Sequence, residues 1–266
     1  MDNKEKLELN DDYNINDEKA VTVWNGVLSA ALKIPGAKVN RSAFLRKELI
    51  KYYKEDDVQE IIRNGIKNSP AKKEDIDKIA KSVINAHTIA ATGISFATGL
   101  PGGWWMAGTI PADLTQFYYQ VIVVAQKLAF LYGWPSFDEE QPSDEFLGLL
   151  TLFIGVMSGA KGAAAAISKI SVSLAEQAAK RIPRMALSKM GVYNIAKQIA
   201  KWLGISLTKQ SFGKTISKII PIVGGIFSGS ITAATFLPMA NKLKDYLSKL
   251  PLAEDDTITD TDGILE

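Results

Sequence analysis

A chain of 266 residues, 47% hydrophobic and 23% charged with a net charge of +2, has enough apolar material for one large core. With no cysteine and a single histidine, His87, it excludes a disulfide framework, thiolate catalysis, sulfur-ligated zinc and multi-histidine metal sites, and no cofactor is expected. The small net charge conceals segregation, because residues 1–20 and 252–266 are acidic while residues 161–218 carry eleven lysines and arginines against one acid, Glu176.

Residues 1–17 are polar and acidic without periodicity, which predicts a flexible lead. The absence of a basic start and an apolar core at this end predicts a cytoplasmic protein. From Glu18 onward, Val21, Trp24, Val27, Leu28, Ala31 and Leu32 recur at helical spacing, and Pro35-Gly36 ends that helix. Asn40 reads as the N-cap of a helix to Lys54 that turns Phe44, Leu45, Leu49 and Tyr52 inward. Asn40-Arg41-Ser42 is also a glycosylation sequon, but without a secretory signal the cap is the better reading. A short helix over 56–67 follows, closed by Asn68-Ser69-Pro70.

The run 82–137 organises the chain, since only Asp113 and Lys127 carry a full charge within it. So much apolar sequence must lie in a protein core or in lipid. Val83, Ile84, Ile89, Ile94 and Phe96 keep helical spacing while Ala, Thr, Gly and Ser fill the gaps, which predicts a helix buried all round. Gly99-Leu100-Pro101-Gly102-Gly103-Trp104-Trp105 turns the chain and Pro111 marks a second break. A long helix over 114–132 then ends at Tyr132-Gly133-Trp134-Pro135.

Residues 137–144 form an acidic loop, 146–160 another uncharged helix, and Gly162 with the following alanines leads into the basic region. Wound as a helix, residues 192–203 place Val192, Ile195, Ile199, Trp202 and Leu203 on one side and Lys197 and Lys201 on the other. The last uncharged run, 219–240, is interrupted by Pro221, Gly224-Gly225 and Pro238, with a polar helix end over 241–249 and an acidic tail after Pro251 that is expected to be disordered. No strand alternation, hairpin signal or fixed-period repeat is present. The expected fold is all-α, a multi-helix bundle over 18–250 around a central apolar helical hairpin.

Gly99-Leu100-Pro101-Gly102-Gly103, then Pro111-Ala112-Asp113-Leu114, Gln120 and Leu131-Tyr132-Gly133, resemble the EcsC family of bacterial proteins in content and order. Ile220-Pro221-Ile222-Val223-Gly224-Gly225 is similar to that family's second block, and the resemblance covers roughly residues 70–245. It implies a bacterial origin and a helical, membrane-proximal domain. No agreed biochemical activity comes with the family, so no catalytic residue is carried over.

Asp113 is the sharpest position, a lone carboxylate in an apolar stretch. It reads either as a buried acid that binds a cation, proton or polar group, or as a first-turn residue facing the positive end of a helix opened by Pro111. His87 pairs with Asp113 in an acid-base dyad if the two segments run side by side; otherwise it is a hydrogen-bonded packing residue. Ser211-Phe212-Gly213-Lys214-Thr215 imitates the end of a phosphate-binding loop, but Thr208 stands where a glycine is required and no strand precedes it. Ser158 and Ser228 lie near glycines without a nucleophile-elbow pattern or a second histidine. Gly155 with Gly159, and Gly225 with Gly229, allow close helix approach in lipid or in a bundle. Trp104 and Trp105 either cap a core or anchor at a bilayer interface.

A spanning helix needs about 20 predominantly apolar residues. Runs 82–100 and 219–240 have the length, but Asn85, His87 and internal glycines and prolines leave them only moderately apolar. The expectation is a non-enzymatic protein at the cytoplasmic face of a bacterial inner membrane, peripheral or partly inserted. Lys197, Lys201 and Trp202, with Trp104 and Trp105, would meet a membrane surface, anionic lipid or a membrane protein. Nucleic acid is not expected, a homo-oligomer is left open, and the basic region also reads as a solvated face. The competing expectation is a hydrolase-type enzyme using Asp113 and His87 in a buried apolar cavity.

Overall fold

The computed structural model describes residues 3–92, 112–136, 143–177, 192–212 and 229–253. Among these residues there are nine helices and no strand, so the all-α bundle anticipated from the pattern is the fold. They are α1 (Asn3–Leu32), α2 (Arg41–Leu49), α3 (Glu55–Asn64), α4 (Lys73–Ala91) and α5 (Ala112–Leu131), then α6 (Asp144–Ser158), α7 (Ala163–Glu176), α8 (Val192–Phe212) and α9 (Gly229–Leu247).

Local chemistry accounts for most boundaries. The Asn40 side chain accepts from the Ala43 backbone N–H at 2.8 Å, capping α2 as the sequence predicts. That helix stops at Leu49, five residues short of Lys54. Glu55, Asp56 and Asp57 open α3 at the positive end of its dipole, and Gly65, at φ +80°, ends it before the expected Lys67. Ser143 caps α6 by accepting from Phe146 N–H at 3.2 Å, and Gly159 closes it in the left-handed region. Gly159 is therefore a helix stop and not half of a helix-pairing face. Gly155 keeps the packing role, since a Cβ there would lie 2.9 Å from Ala163 and 3.0 Å from Ile199.

At the start of the chain, α1 begins at Asn3, so the backbone is helical where an irregular lead was expected. Elongating a helix anchored by the buried face of Trp24, Val27, Leu28 and Ala31 requires no new nucleus, and residues 4–9 contain strong helix formers. Toward the C-terminus, α9 continues through an exposed Pro238, where a break was expected.

The core centres on α5, which packs against α1, α2, α4, α6 and α9. From Phe117 to Leu131 only Tyr119 and Lys127 escape full burial. The next most enclosed helix, α6, packs on α5, α7, α8 and α9. Edge-to-face pairs tie these layers together, Trp24 with Tyr118 at 5.1 Å and Trp134 with Phe153 at 5.0 Å, each adding about 0.5–1.5 kcal/mol beyond area burial. By contrast α4 is not buried all round. It turns Ile76, Ile79, Ala80, Val83 and Ile84 inward and leaves Ser82, Asn85 and Ile89 in solvent. Small uncharged residues on its outer face need no apolar cover, so the lack of charge overstated its burial. No helix among the described residues is long and apolar enough to cross a membrane.

Candidate functional site

Three polar residues of the long apolar run, His87, Gln120 and Lys127, meet at the α4–α5 interface. Tyr132 O–H donates to Asp77 at 2.6 Å at one end, and His87 meets Gln120 and Lys127 at the other, so α4 and α5 run antiparallel. His87 Nε2 lies 2.9 Å from Lys127 Nζ, and His87 Nδ1 lies 2.6 Å from Gln120 Oε1. An ammonium has only donors, so Nε2 accepts, and the neutral ring carries its proton on Nδ1 and donates it to the amide oxygen.

The electrostatics fix this state. Burial, then the charge of Lys127, push the His87 imidazolium down to about 4, with only the Gln120 hydrogen bond opposing. Lys127 is also held below the usual lysine range, chiefly by burial, with Lys47 adding to the shift and Glu48 opposing it. The Phe44 ring lies 5.5 Å from its ammonium. Immediately before Lys127, Gln126 is almost fully buried and clamps α5 to the α1–α2 connection. It donates to Ala37 O at 2.7 Å and accepts from Val39 N–H at 3.2 Å.

Asp113 occupies the first turn of α5, the placement that suits a carboxylate at a helix start. It lies about 10 Å along the axis from Gln120, the nearer of His87's two partners on that helix. Both ring nitrogens are engaged by groups other than Asp113. The histidine therefore serves as a neutral bracket between helices. Gln120 and Lys127 were missed as its partners, although one signal was readable: Lys127 is the sole cation of the run and sits seven residues, two turns, from Gln120 on one helix face.

Comparison with protein-family models, with curated proteins and with solved structures returns no match. Among the described residues no group of His, Asp and Glu could hold a metal ion.

Of the residues expected to meet a membrane, three lie on α8. Lys197 is exposed and rims a hollow of about 120 Å³ between α1, α6 and α8 with Asp144 and Asn25. Lys201 pairs with Asp17 of α1 at 2.5 Å, and Trp202 is half-buried against the core. The inward stripe of α8 is Ala196, Ile199, Ala200, Leu203 and Leu207, flanked by Ile195 and Trp202. Trp104 and Trp105, together with the turn at Gly99, lie outside the described residues.

Proposed function

We propose that this chain is a non-enzymatic, EcsC-like helical protein of bacterial origin that attaches peripherally to an anionic membrane at its cytoplasmic face. The observation that carries the reading is the charge segregation, eleven basic residues against one acid over 161–218. Lys161 and Lys169 on the α6–α7 side and Lys197 on α8 are exposed, so part of that charge faces outward from the bundle. Each lysine near an anionic surface contributes roughly 1 kcal/mol, falling off within a Debye length. The turn motifs at Gly99–Gly103 and Pro111–Leu114 support the family reading, and the lack of a spanning helix among the described residues favours surface attachment over insertion.

Fractionation of cells expressing the full chain tests this directly. The expected result is pelleting with membranes at low salt and release at high salt. Recovery in the supernatant at low salt overturns the reading, and resistance to carbonate replaces surface attachment with insertion.

A further inference from the structure

A second feature lies away from the His87 bracket. The start of α2, the end of α3 with its following loop, the exit of α5, the end of α7 and residues 251–252 enclose an open cleft of about 600 Å³. Its charged wall is formed by Arg41, Arg63 and Lys67, and no carboxylate stands among the described residues that line it. Its other wall is apolar, with Ile66 and Leu174 buried and Leu252 half-buried against the core.

The cleft is built and held. Arg41 is fixed in place by donating from Nε to Trp134 O at 3.0 Å and from Nη1 to Ile62 O at 2.8 Å. Its cation is thereby oriented before anything binds, which lowers the entropy lost on association. Gly133 sets the opposite edge: its φ is +86°, and any Cβ there would strike the carbonyl of Leu252. Only glycine lets residues 251–252 seat so closely against the exit of α5.

We propose that this cleft binds an amphiphilic anion, a phosphate or carboxylate joined to an apolar chain or ring. Arginine and lysine recognise the oxyanion through charge-assisted hydrogen bonds, and the wall of Ile66, Leu174 and Leu252 removes the apolar body from water. The volume falls within the range of about 300–1,000 Å³ typical of small-molecule sites. A membrane lipid and a soluble metabolite both carry this chemistry. The inference is independent of the membrane reading above, because its cations, Arg41, Arg63 and Lys67, lie outside the basic residues 161–218.

The test titrates the full chain with monomeric dodecyl phosphate by calorimetry, with inorganic phosphate and dodecanol as probes of each half. Saturable one-to-one binding of dodecyl phosphate is expected, with both half-probes at least about tenfold weaker. Arg63→Glu combined with Lys67→Glu should weaken binding by about tenfold or more by reversing two of the wall's cations. Asn64→Trp, at an exposed lining position, should fill the cleft and weaken binding with every cation retained. Far-UV circular dichroism confirms that each variant is folded. Wild-type affinity in both variants, or equal binding of either half-probe, overturns the proposal. Extraction of a labelled lysophosphatidic acid from vesicles identifies a lipid source, uptake of 1-naphthyl phosphate without extraction identifies a soluble one, and failure of both overturns the site.

Discussion

Protonating His87 would set a second positive charge 2.9 Å from the Lys127 ammonium in a largely desolvated crevice, so the bracket holds only while the imidazole is neutral. The folded-state value of about 4 lies below the ordinary 6.5, so the unfolded chain takes up the proton first as pH falls. No penalty exists above about pH 6.5; stability then declines toward pH 4, by roughly 3 kcal/mol in all. Because His87 is the chain's one histidine, the assignment is clean. In His87→Gln, urea unfolding between pH 7 and 5 should lose the acid-side decline that the wild type shows. Lys127→Met removes a neighbouring charge that opposes protonation, and an NMR titration of the lone imidazole should find its pKa higher than in the wild type. At this scale the sequence exposed which groups were unusual, Asp113, Lys127 and His87, but not which of them met. That depends on the α4–α5 register, and about four turns along α5 separate the carboxylate of Asp113 from the ammonium of Lys127.

Among elements, the crossing of α1 and α8 turns on one residue. A Cβ at Gly204 would overlap the backbone carbonyl of Ala20, and backbone cannot swing aside as a side chain can. Gly204→Ala should therefore destabilise the fold by about 1–3 kcal/mol or more, seen as a lower urea midpoint with an unchanged slope. The α1–α6 contact has a polar counterpart, in which Trp24 Nε1 donates to Thr151 Oγ1 at 2.9 Å while Thr151 donates to Leu147 O at 2.8 Å. Thr151→Val keeps the shape but leaves the indole N–H buried without an acceptor, which costs about 1–3 kcal/mol by thermal or urea unfolding. The stripe of α1, the Asn40 cap and the Gly133 stop were all readable, because each is set by spacing or by a residue's own backbone preference. Gly204 was not, because nothing within α8 distinguishes a glycine that admits a neighbouring backbone from one that merely weakens a helix.

Across the whole molecule, charge-free sequence proved a poor guide to which helix lies innermost. The small residues of α4 face solvent as readily as core, whereas the bulky residues of α5 and α6 must be covered, so tertiary contact places those two at the centre. What the bundle leaves outside is charge, and the attachment proposal can be tested on three lysines of the basic region that are exposed among the described residues. Lys161, Lys169 and Lys197 changed together to Gln remove about three times 1 kcal/mol of surface attraction, so partition onto vesicles rich in anionic lipid should fall by about a hundredfold at low salt. Circular dichroism should be unchanged, since none of the three is buried. Raising the ionic strength should erase the difference between variant and wild type, because screening removes the same attraction that the substitutions remove. Wild-type binding by the triple variant would take these lysines out of the attachment surface. An equal loss on neutral vesicles would show that the substitutions act on something other than charge.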